Sequence, residues 1–112
     1  MAEWEELDEF RYHHRLREAG GWALVLFSAP ACGACRRAER YLPEWRTLDI
    51  RLFKVDVQRS QALARAHDLF HLPALFVYRD GQFHARLETE LSRPAFEQAL
   101  AAALTGPAQE EP

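Results

Sequence analysis

The sequence predicts an α/β domain: a central mixed sheet of about four strands with helices on both faces. Three observations predict it. Helical and strand periodicities alternate along the chain, which gives parallel neighbours where helices cross over. Trp22 to Phe27 is a near-continuous apolar run, the pattern of a strand covered on both sides. Asp80-Gly81 separates two strand-like runs, a hairpin signal that makes the last pair antiparallel.

Each element has its own local reason. Residues 3–19 read as an N-terminal helix, because Trp4, Leu7, Phe10 and His14 recur at helical spacing and Gly20-Gly21 ends the run. The adjacent His13 and His14 point to different faces and read as surface histidines. The strand at 22–27 breaks at Ser28-Ala29-Pro30, and a second helix is expected over 32–47. Its apolar face is Cys35, Ala38, Leu42 and Trp45, and Pro43 should bend or shorten it. Ile50 to Val57 reads as a strand. Ser60 can cap a helix running to Leu69, with Leu63 and Ala66 inward. Leu75 to Tyr78 and Gln82 to Leu87 form the hairpin strands. Ser92 caps a last helix whose inner stripe is Phe96, Leu100, Ala103 and Leu104. Gly106-Pro107 stops that helix, and residues 105–112 are expected to trail as a flexible tail. Trp22, Trp45 and the phenylalanines read as core, and Asp56 and Asp68 as surface or capping groups. No repeat or linker divides the chain, so 1–112 is expected to be one domain.

Composition narrows the function. Of 112 residues, 48% are hydrophobic and 28% charged, and the net charge is −3. That balance offers no electrostatic footprint for nucleic acid. The acidic start Glu3-Trp4-Glu5-Glu6 is wrong for a secretory signal, and no apolar run is long enough for a membrane span. The expected protein is a cytoplasmic monomer with neither nucleic-acid nor membrane partner.

The chemistry concentrates at Cys32 and Cys35. The turn after the first apolar strand should deliver Cys32 to the first turn of a helix. There, unpaired N–H groups and the positive end of the helix dipole favour a thiolate, the nucleophilic form. Cys35, one turn on, is within reach to form a disulfide with it, a two-electron couple. Other readings of the pair are inert thiols, two of zinc's four ligands, or half of an iron–sulfur site shared by two subunits. His67 and His71 have i, i+4 spacing, but read better as a surface and a loop histidine. His71 could also favour the Cys32 thiolate when protonated.

The chain resembles a thioredoxin over about residues 20–104. Three features carry the resemblance: Phe27-Ser28-Ala29-Pro30-Ala31-Cys32-Gly33-Ala34-Cys35 between a strand and a helix, Leu72-Pro73 before the strand at 74–78, and Arg79-Asp80-Gly81 in the hairpin. The resemblance implies a three-layer α/β/α fold and a protein-disulfide oxidoreductase with neither cofactor nor metal beyond the redox-active cysteine pair. Cys32 would attack a disulfide-containing client and Cys35 would resolve the mixed disulfide. Pro73 would be a cis-proline, and Leu72, Ala31, Gly33 and Ala34 would lie against the client. A thioredoxin reductase or another dithiol would return the electrons. The sequence also departs from the family. A buried Asp usual in the first strand is Leu26 here, while its companion lysine is kept as Lys54, the chain's only lysine. The aromatics usual beside the motif are Ser28 and Ala31. The proline inside the motif is Ala34, the proline five residues after the second cysteine is Arg40, and the glycine after the hairpin is Thr89. These changes imply that resolution is slow unless water or Lys54 helps the proton transfer, and that general reductase activity is altered. The alternative function is a binding or redox-sensing module with one dedicated partner.

Overall fold

The computed structural model describes residues 3–46, 49–69 and 71–112. The order is β1 (Trp4–Glu6), α1 (Tyr12–Ala19), β2 (Trp22–Ser28), α2 (Gly33–Trp45), β3 (Arg51–Asp56), α3 (Gln61–Ala66), β4 (Ala74–Arg79), β5 (Gln82–Leu87) and α4 (Arg93–Thr105). One mixed sheet runs β1-β3-β2-β4-β5. β1 and β2 lie parallel to β3, whereas β4 is antiparallel to both β2 and β5. The α/β class with helices on both faces stands, and the sheet has five strands instead of four.

The fifth strand comes from the stretch read as the start of a helix. Trp4 to Glu6 pairs with Leu52 to Lys54. The Asp8 carboxylate then accepts from the N–H groups of Phe10 and Arg11 at 3.0 and 2.9 Å, a local turn that separates strand from helix. Helix α1 starts only at Tyr12 and buries Tyr12 and Leu16. Phe10, expected on the buried face, is 87% exposed. A three-residue strand is too short to show alternation, and the Trp4–Leu7–Phe10 spacing mimics a helix.

Strand β2 is central, and Ala23 to Phe27 are all buried. Its alternate residues feed two cores. Val25 and Phe27 pack with Tyr12, Leu16, Phe53, Leu63 and Phe76 under α1 and α3. Leu24 and Leu26 pack with Ala38, Leu42, Leu75, Phe96 and Leu100 under α2 and α4. Both halves of an unbroken apolar run are therefore used. Trp22 and Trp45 pack, partly buried, against the second core. Two residues with expected places, Thr47 at the end of the second helix and Phe70 in the core, lie outside the described residues.

Three local expectations need correction. Ser60 occupies the cap position of α3, but its side chain makes no capping hydrogen bond, and α3 ends at Ala66. His67, read as a surface residue, is 3% exposed. The chain after α4 lies along the sheet edge: Gln109 N–H donates to the His84 carbonyl at 2.7 Å, and the Gln109 side-chain oxygen accepts from Arg86 N–H at 3.1 Å. Beyond it, Glu111 meets the buried Tyr78–Tyr12 hydroxyl pair. Burial is the main cause that pushes both phenols up, so both stay neutral. Ser92, by contrast, caps α4 as expected, accepting from Ala95 N–H at 3.3 Å.

The hairpin turn is held tightly. Asp80 and Gly81 have φ of 51° and 81°, as a type I′ turn needs. The Asp80 carboxylate accepts from Gly21 N–H at 2.7 Å. A Cβ on Gly81 would stand 2.6 Å from the Arg17 Cα, so the backbone of α1 closes over this position. Gly81→Ala is expected to cost about 1–3 kcal/mol, read as a lower urea midpoint at unchanged slope. An unchanged midpoint would show that α1 does not hold the turn.

Candidate functional site

Strand β2 ends at Ser28, and Cys32 N–H donates to the Ala29 carbonyl at 3.1 Å to close a turn. The Arg36 guanidinium donates to the Pro30 carbonyl at 2.7 Å and braces that turn from α2. Cys32 is the N-cap of α2, with extended backbone at φ −93° and ψ 106°. Its Sγ accepts from Cys35 N–H at 3.1 Å. The sulfur thus stands where a capping oxygen normally does, in front of free amides and the positive helix end. Cys32 and Cys35 are joined as a disulfide, Cα–Cα 5.2 Å. Cys32 is half-buried, while Cys35 is 2% exposed. Cys32 can be approached from solvent, while Cys35 is almost wholly enclosed.

The remaining sequence-predicted residues fall around this turn. Ala31 and Gly33 are exposed, and Ala34 is partly so. The Leu72–Pro73 peptide is cis, and both residues are partly exposed. Phe27 is in register with Ala74. The cis bond therefore lies at the sheet end from which the cysteine turn springs. His71 is exposed and lines a groove of about 220 Å³ with Pro73, Arg86, Thr89 and Leu91.

Behind the disulfide lies a cleft of about 190 Å³, lined by Cys35 with Ser28, Arg36, Glu39, Lys54 and Asp56. Lys54 Nζ donates to the Glu39 carboxylate at 2.5 Å. Leu26, beside Lys54 in register, is fully buried. Lys54 therefore reaches this cleft, and it brings an acid that sequence reasoning missed. The available signal was spacing: Glu39 is four residues after Cys35, hence on the same helix face.

Glu39 is held in place through its backbone as well. Pro43 has no N–H, so the carbonyl of Glu39, four residues earlier, loses its helical donor. Trp4 Nε1–H donates to that carbonyl at 2.7 Å. Helix α2 runs through Pro43 to Trp45, because β1 supplies the missing hydrogen bond.

The family model described as Thioredoxin matches residues 3–102 of this chain. A search of curated protein sequences finds no match. Among solved structures, a mutant thioredoxin from Halobacterium salinarum NRC-1 is similar, with a TM-score of 0.76 and 22% identity. The likeness covers 96% of each chain, and at that identity it speaks for the fold.

Trp4→Phe removes the donor while keeping an aromatic ring. It is expected to destabilise the fold by about 1 kcal/mol, the order of one lost, partly buried hydrogen bond. Helix fraying near Glu39 should appear as faster amide exchange in the last turns of α2. Unchanged exchange there would remove the indole from the account.

Proposed function

We propose that this chain, which belongs to the thioredoxin family, reduces or exchanges protein disulfides through the Cys32/Cys35 dithiol. The observation that carries the reading is the Cys32 sulfur at the cap of α2, half-exposed and facing the Cys35 amide. In the reduced protein the same amide and helix end favour the Cys32 thiolate. That thiolate attacks one sulfur of a client disulfide, forming a mixed disulfide and releasing the other sulfur as a thiolate. Cys35 then loses its proton and attacks Cys32. The Cys32–Cys35 disulfide forms, and the second client sulfur leaves as a thiolate. Two electrons pass to the client, whose thiolates take protons from water. A thioredoxin reductase or another dithiol restores the pair, and no further cofactor enters.

The client is a disulfide-bearing protein segment lying against Ala31, Gly33, Ala34, Leu72 and Pro73. Small side chains at Ala31 and Ala34 leave that surface low, which favours bulky or folded clients over those that need aromatic contacts. The protein acts as a cytoplasmic monomer.

Resolution needs a base for the buried Cys35 thiol. Glu39, paired with Lys54 and sharing the cleft with Cys35, takes that proton directly or through a water in the cleft. Lys54 holds the carboxylate in place. The acid usual at position 26 is thus replaced from the helix side.

Two measurements test this reading. Cys32→Ser should abolish reduction of insulin disulfides, and Cys35→Ser should trap a mixed disulfide with the substrate. Turnover by Cys32→Ser would instead favour a module that only docks a partner. Glu39→Gln should slow mixed-disulfide resolution by about tenfold or more, while alkylation of reduced Cys32 keeps its rate. Resolution at full speed in that variant would return the proton step to Lys54 or to water alone.

A further inference from the structure

On the opposite face of the sheet from α2, three Lewis-basic atoms converge. The His67 Nε2 lies 2.9 Å from a Glu111 carboxylate oxygen, and the His13 Nε2 lies 3.6 Å from the same oxygen. All three ligand atoms fall within 4.8 Å of one another. We propose that His13, His67 and Glu111 bind one divalent transition-metal cation of the zinc type.

The hydrogen bonding around His67 decides how its ring is presented. His67 Nδ1 lies 3.0 Å from the Leu63 carbonyl. A carbonyl only accepts, so Nδ1 carries the proton, and in the neutral ring Nε2 presents a lone pair. A lone pair facing a carboxylate oxygen at 2.9 Å needs positive charge between them. Either a second proton or a metal ion supplies it. An imidazole whose far nitrogen donates to a backbone carbonyl is the usual arrangement of a metal-bound histidine.

The spacing and surroundings can accommodate the metal. Zinc bonds to nitrogen and oxygen run about 2.0–2.2 Å. In a tetrahedron these give ligand–ligand edges of about 3.3–3.5 Å, and the two measured separations bracket that range. His67 is held rigidly, 3% exposed, with its ring centroid 5.7, 6.0 and 5.3 Å from those of Tyr12, Phe27 and Phe76. Tyr78 OH donates to the Glu111 oxygen at 3.4 Å and receives from Tyr12 OH at 2.8 Å, which orients the carboxylate. The side chains of His13 and Glu111 are 52% and 39% exposed, so an ion can enter. Two imidazoles and one carboxylate suit zinc, copper or nickel and disfavour magnesium. Three protein ligands leave a fourth position for water. The bound ion would tie the C-terminal segment to α1 and to the residue that closes α3.

The test uses the full chain with Cys32 and Cys35 oxidised, so that no thiolate competes. Calorimetric titration with Zn²⁺ should show one ion per chain, with Mg²⁺ giving no isotherm. His13→Ala and Glu111→Gln, both at exposed side chains, should each weaken Zn²⁺ binding by about tenfold or more. Bound Zn²⁺ should also slow carboxypeptidase removal of the last residues. Absence of saturable one-to-one binding, or binding that neither substitution weakens, would overturn the site and leave a proton between His67 and Glu111.

Discussion

A sulfur atom capping a helix is the constraint on which the rest of the molecule depends. The first turn of α2 presents amides with no partner inside the helix. In most proteins an oxygen from Ser, Thr, Asp or Asn meets them. Here Cys32 Sγ meets the Cys35 amide, so the group that stabilises the fold locally is also the group that can react. Its position is set from behind. Strand β2 has no freedom, being buried on both faces between β3 and β4. The short turn held by Cys32 N–H and Arg36 has little more. A reactive atom placed on a loop would owe its position to the loop; this one owes it to the core.

Helix α2 then does several things along one face. Cys35, Ala38 and Leu42 are buried toward the sheet, while Glu39 turns far enough aside to meet Lys54 from β3. Pro43 opens a gap in the hydrogen-bond ladder, and the indole of Trp4 fills it. Strand β1 is only three residues long, yet it fixes the turn of helix that carries the acid behind the disulfide. An edge strand thereby shapes, through one N–H group, the cleft that its own Glu6 helps to line.

Much of this was legible in the sequence where periodicity or special residues were long or singular enough. The doubly buried β2, the Asp80-Gly81 hairpin, the Ser92 cap and the Cys32–Cys35 junction all follow from patterns of that kind. β1 does not, because Trp4, Leu7 and Phe10 satisfy a helical rule while Asp8 imposes a turn between them. His67 does not either: its burial depends on rings brought by α1, β2 and β4, which no local window contains. Glu39 lay in a region read correctly as helix, but its meaning depended on Lys54 arriving from another strand. The path of residues 107–112 depends on an open edge of β5, which only the completed sheet reveals.

The placement of the acid has a physical logic of its own. A carboxylate at position 26 would stand where Leu26 is wholly buried among Leu24, Ala38, Leu42 and Leu75, and a buried charge there would cost several kcal/mol unless paired. The Glu39 side chain is 38% exposed and meets Lys54, itself 31% exposed. Its charge keeps contact with water while its oxygen still lines the cleft beside Cys35. With Leu26 at this position β2 is apolar and sealed on both faces, and the charge of Glu39 sits at the cleft instead. A carboxylate in a solvated cleft is less shielded from water than one sealed in the sheet. Cys35, though buried, borders that cleft, so the proton transfer proposed for it would stay in contact with solvent.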